Sequence, residues 1–88
     1  MLKFGVSKAV RMAYGCRCQY CGGVATEADH IVPVASGGSD DARNLTASCK
    51  RCNTTKHAKR LPKEIEKKLL MMAFIYAGEV ENMASKFR

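Results

Sequence analysis

The sequence has no tryptophan, only two prolines and about half as many acidic residues as basic ones. It also has no long hydrophobic run. The longest, Leu69 to Gly78, reaches about half the ~20 residues that a membrane-spanning helix requires. The opening, MLKFGVSKAVRMAYG, lacks the continuous apolar centre and small-residue cleavage site of a secretory leader. These absences predict a soluble cytoplasmic protein whose cysteines stay reduced. No internal repeat or low-complexity tract is present, and aromatics near basic residues are sparse, with only Tyr14 and Tyr20. That argues against a stacking platform for single-stranded nucleic acid.

What the chain does have is cysteine and positive charge. Its 88 residues have room for one hydrophobic core, so a single domain over 1–88 is expected. Chains this small often need a staple. Five cysteines supply one, four of them as the pairs Cys18-x-x-Cys21 and Cys49-x-x-Cys52. Each pair can set two sulfurs on one turn, and two such turns close a tetrahedral structural Zn²⁺ site with no open position. Cys16 is the odd thiol. It could replace Cys18 as a ligand, but Cys-x-Cys forms the turn less readily, so it reads as free.

The formal charge is +7, from fifteen Lys and Arg against eight Asp and Glu. Binding a dication through four thiolates removes only part of that, and a polyanionic partner follows naturally, although solubility alone also accounts for basic small proteins. Between Lys50 and Lys63 stand Lys50, Arg51, Lys56, Lys59, Arg60 and Lys63 with no acidic residue among them. Such a track contacts phosphates without reading bases.

The elements can be placed coarsely. SKAVRMAY predicts a short helix capped by Ser7 and ended by Gly15. ATEADHIVPV is β-branched and predicts a strand ended by Pro33, while ASGGSDDARN is a loop by composition. NLTAS predicts a second strand and CKRCNTTKHAKR a helix. Pro62 opens a C-terminal helix with Ile65, Leu69, Met72 and Tyr76 at helical spacing, read as a cover for the core, and Gly78 should weaken or bend it.

The ordered set CxxC, DHIVP, GG, Asn, CxxCN and a following Lys resembles the HNH endonuclease family over Cys18 to about Arg60. The resemblance implies an α+β fold, a zinc-stapled ββα-metal core (18–60) flanked by an N-terminal helix and a C-terminal helical extension (62–88). It also implies hydrolysis of DNA phosphodiester bonds. By position, His30 is the general base, Asp29 a ligand of a catalytic Mg²⁺ or Mn²⁺, and Asn44 a residue that helps fix the loop and orient His30. After Cys52 the chain departs from the family name: Asn53 stands where the final His would be, giving an H-N-N variant whose amide oxygen suits a hard cation. Some members use a histidine at the offset of His57 as a further metal or phosphate contact. Arg17, Lys50, Arg51, Lys56, Lys59 and Arg60 are the expected nucleic-acid contacts, with DNA preferred over RNA.

Each of these residues also has a plainer reading. Asp29 could be a strand-edge carboxylate, His30 a buried imidazole, Asn44 a turn cap and His57 a solvated helix residue. The rival function is a non-catalytic zinc module that binds nucleic acid or protein through its basic face. Free-standing domains of this length resemble those of phages and prophages, which makes phage packaging proteins, or a second copy of the chain, candidate partners.

Overall fold

A computed structural model describes residue 2, residues 5–56 and residues 59–87. Helix α1 spans Val6–Ala13, strand β1 Glu27–His30, strand β2 Leu45–Ser48, helix α2 Lys50–Lys56 and helix α3 Lys63–Lys86. The elements follow the expected order. β1, β2 and α2 form a ββα unit, with α1 before it and α3 after it. No described helix is long and apolar enough to cross a membrane.

Helix α1 starts at Gly5 rather than at a Ser7 cap, with no side-chain cap bond. Gly5 has φ 85°, and a Cβ there would come within 3.0 Å of the Ala84 carbonyl oxygen and of Phe87. The chain enters α1 by running against the end of α3, and only glycine fits that approach. Ala9 and Val10 then bury fully, and Tyr14 stacks edge-on against Tyr76 of α3 at 5.0 Å.

The strands pair antiparallel with Glu27 opposite Ser48, Ala28 opposite Ala47, Asp29 opposite Thr46 and His30 opposite Leu45. A two-stranded hairpin is marginal alone. Here every residue of β2 is buried. The knuckle before β1 is tied to β2 as well, through Gln19 N to Ala47 O and Thr26 N to Ser48 O, both 3.0 Å.

The residues between the strands are not an open loop. Val34–Ser36 and Ala42–Asn44 form single 3₁₀ turns. Asn44 ties them together: its Oδ1 accepts from Val32 N at 2.9 Å, and its Nδ2 donates to Val32 O at 3.0 Å and Ser39 O at 2.9 Å.

Helix α3 differs from the expected stripe. Its buried residues are Leu69, Ala73, Ala77, Val80 and Ala84, while Ile65 is exposed and Met72 and Tyr76 are half-buried. Alanines let α3 lie close to α1 and to the Ala42–Asn44 turn, with Leu69 and Val80 buried among them and Met72 and Tyr76 packed at the edge of the core. The helix also runs unbroken through Gly78.

Gly38 is the tightest point of the loop. A Cβ there would collide with the Val32 carbonyl and come within 2.9 Å of Asn44 Nδ2. Replacing Gly38 by Ala should therefore cost about 1–3 kcal/mol and lower the melting temperature by several degrees. An unchanged thermal midpoint would show that the loop is not packed this way.

Candidate metal centre and nuclease site

Four sulfurs converge first. The Sγ atoms of Cys18, Cys21, Cys49 and Cys52 all lie within 4.8 Å of one another, with Cys21 and Cys49 at 3.8 Å. Local turns make this possible. Cys18 N donates to Gly23 O at 2.7 Å and Gly22 N to Cys18 O at 2.9 Å, while Cys52 N reaches Cys49 Sγ at 3.4 Å. Burial pushes the Cys18 thiol up, but backbone N–H groups of Cys21, Cys49 and Tyr20 outweigh it and bring the group down to about 6. Cys52 moves the other way, to about 12, through its hydrogen bond to Cys49 and then desolvation. Sulfurs this close cannot all ionise unless a cation joins them, so the cluster fits a metal ion. Cys16 is exposed, at φ 57°, and outside the cluster.

β1 presents two faces, because successive side chains alternate. Glu27 and Asp29 face α2. Asn53 Nδ2 donates to Glu27 Oε1 at 2.7 Å, and Lys56 Nζ lies 3.3 Å from Asp29 Oδ2. Asp29 is 5% exposed, and the Tyr20 hydroxyl also donates to its Oδ2, at 2.6 Å. Burial, then this bond, pushes the Tyr20 phenol well above its ordinary range, so it remains a donor.

His30 sits at the last position of β1. Its Nε2 is 2.7 Å from Asp40 Oδ1, and its backbone oxygen accepts from Lys56 Nζ at 2.7 Å. The hydrogen bond from His30 holds the Asp40 carboxyl below the usual carboxylate range. Thus Asp29 and Asn53 both lie at the β1–α2 junction, each tied to a different partner. His30 is paired with Asp40 across the loop. Asn44 acts on the loop backbone rather than on the His30 ring: its bonds hold Val32 and Ser39, the segment that leads to Asp40. His57 lies outside the described residues.

Among the expected phosphate contacts, Arg17, Lys50, Arg51, Lys59 and Arg60 are exposed. Arg60 also pairs with Glu66 at 2.8 Å. Lys56 is different. Its side chain is only 7% exposed and its ammonium is turned inward onto Asp29 and the His30 carbonyl. A buried carboxylate needs a counter-charge, and Lys56 supplies it from one end of α2. It is an internal ion-pair partner in this structure and not a surface contact. No motif in the sequence marks Tyr20, Glu27 or Asp40 for the site. Asp40 alone left a trace in the sequence, as a carboxylate in the loop that returns from the His30 strand.

A sulfur-stapled ββα unit with a histidine at its strand end defines a class, and comparison with known proteins places residues 18–59 in it. That segment matches the HNH endonuclease family model. The CRISPR-associated endonuclease Cas9 of Corynebacterium diphtheriae is 52% identical over 46 residues, 47% of this chain and 4% of that protein. Cas9 of Actinomyces naeslundii is 53% identical over 47 residues, 48% of this chain and 4% of that protein. The match to these curated relatives thus spans about 4% of their length. No solved structure matches significantly. An HNH endonuclease domain is present at residues 18–59, in line with the resemblance carried by the motifs.

The Lys56–Asp29 pair can be tested by stability. Lys56→Met leaves a buried carboxylate without its ammonium and should cost roughly 3 kcal/mol in chemical denaturation. Adding Asp29→Asn should recover most of the loss. Equal stability of Lys56→Met and the parent would mean that the ion pair is not formed.

Proposed function

We propose that this chain is a metal-dependent DNA endonuclease that hydrolyses phosphodiester bonds with little sequence selectivity, nicking or cutting one strand at a time. The observation that carries this reading is His30 at the end of β1, paired with Asp40, inside the segment that matches the HNH family. The endonuclease names of both relatives support it.

The residues divide the work. With Nε2–H donated to Asp40, the free lone pair of the imidazole lies on Nδ1, which takes the proton from the attacking water. Asp40 then faces the imidazolium and stabilises it. Asn44 holds the loop that sets Asp40. Asp29 Oδ2 is committed to Tyr20 and Lys56, so Oδ1 is its oxygen for a metal. Asn53 Nδ2 is committed to Glu27, which leaves its Oδ1 for the same ion. A carboxylate and an amide oxygen are hard donors and fit Mg²⁺ or Mn²⁺. Such an ion, when bound, neutralises phosphate charge and stabilises the leaving 3′ oxygen. The side chains of Arg17, Lys50, Arg51, Lys59 and Arg60 hold the DNA backbone in a salt-sensitive way. His57 is a further candidate contact, as expected from its offset.

The sulfur cluster is assigned Zn²⁺. A tetrahedron with bonds of about 2.3 Å has edges of about 3.8 Å, which matches the Cys21–Cys49 separation. The role is structural, since four thiolates leave no open position. Cytoplasmic location in a bacterial or phage-infected cell, and a phage or prophage origin, complete the reading.

One observation favours the rival, a non-catalytic zinc module: the Asp29 carboxylate is already neutralised by Lys56. Two experiments separate the readings. With Mn²⁺ or Mg²⁺ the protein should nick plasmid DNA, and His30→Ala should lower the rate at least about a hundredfold while zinc content stays the same. Equal nicking by both proteins would end the catalytic assignment. Removing zinc with a strong chelator should collapse the ββα unit, read as lost far-UV circular dichroism and a lost cooperative transition. A cooperative melt without zinc would show that the thiols are not the staple.

A further inference from the structure

Helix α3 buries one face and leaves another uncovered. On the outer face Met71, Phe74 and Ile75 are 60%, 69% and 71% exposed, with half-buried Leu70 beside them. Shallow grooves run on both sides of the Met71–Ile75 ridge. Single exposed apolar residues are ordinary, but a contiguous set on one helix face marks an interaction surface.

Gly78 lies one turn beyond Phe74 on this face. A Cβ there would meet nothing within 4 Å, so the glycine serves no packing need of its own fold. Within a helix it costs about 1 kcal/mol relative to alanine. A residue without a side chain beside an apolar ridge is what close approach of another helix uses.

The charges on the face indicate which helix that is. Lys67 lies seven residues before Phe74 and Glu81 seven residues after it, both exposed and both within about 20° of it around the helix. We propose that this face pairs with its equivalent on a second copy of the chain, as an antiparallel helix pair about a twofold axis at Phe74. In that arrangement Phe74 meets Phe74, and Leu70 of each copy lies over Gly78 of the other. Lys67 of each copy then faces Glu81 of the other. A parallel pair would set Lys67 against Lys67 and is disfavoured. The surface is self-complementary, as a twofold interface must be. The pair would carry two HNH units, so that each strand of a duplex could be served by one of them.

Sedimentation velocity on the zinc-loaded full chain, from micromolar to millimolar concentration, tests this without reading activity. It therefore stands or falls apart from the nuclease reading. The parent should show a monomer–dimer equilibrium, and Phe74→Glu should weaken it at least about tenfold with zinc content and circular dichroism unchanged. Lys67→Glu and Glu81→Lys should each weaken it severalfold, and the double variant should restore it. A chain that stays monomeric throughout, leaving the face to another protein or to a further segment of a longer polypeptide, overturns the proposal. So does association that Phe74→Glu leaves intact, or a double variant that fails to recover.

Discussion

Everything in this structure depends on four sulfurs being brought within 4.8 Å of one another. Two Cys-x-x-Cys turns, separated by residues 22–48, must meet, and their meeting closes the hairpin between them. A two-stranded sheet has little stability alone. Here its ends are fixed by the knuckle bonds to Ala47 and Ser48, and its buried strand is covered by α1 and α3. Because α2 begins directly after Cys49, the same closure sets Asn53 and Lys56 against β1. The geometry of the site is thus inherited from the staple.

The second constraint is the alternation of a β-strand. Adjacent Asp29 and His30 cannot point the same way within the strand, and they do not share a partner. Asp29 faces α2, where Lys56 and Tyr20 hold one oxygen. His30 faces the loop, where Asp40 holds Nε2. Because His30 ends the strand, both groups still lie at its rim. Lys56 bridges the two halves, since its ammonium touches both the Asp29 carboxylate and the His30 carbonyl oxygen.

Much of this is legible in the sequence. Thiol spacing announces the staple and the ordered motif the family. The β-branched residues that point to a strand ended by Pro33, however, lie outside β1, which stops at His30 because Ile31 and Val32 already turn into the loop held by Asn44. Other features are set by tertiary contacts that spacing does not encode. Lys56 reads as one more cation in a basic run, and only burial of Asp29 turns it inward. Ser7 is a good cap by residue type, yet the approach of α1 to Ala84 moves the start of the helix to Gly5. In α3, the helical spacing places Leu69, Met72 and Tyr76 on the packed side, whereas Ile65 is exposed and the alanines Ala73, Ala77 and Ala84, which spacing of large residues does not mark, line the closest contact. The segment between the strands has turn composition, but its two 3₁₀ turns are tied across the loop by the buried Asn44 amide, which holds Val32 and Ser39.

The central claim is that one metal holds the frame while a different one serves the chemistry. Crystals of the zinc-loaded protein soaked in Mn²⁺, with anomalous maps at both metal edges, test it directly. The account expects two separate peaks per chain: zinc among the four sulfurs, and manganese between Asp29 and Asn53 beside His30. Manganese found only among the sulfurs, or no manganese at the β1–α2 junction, would contradict it.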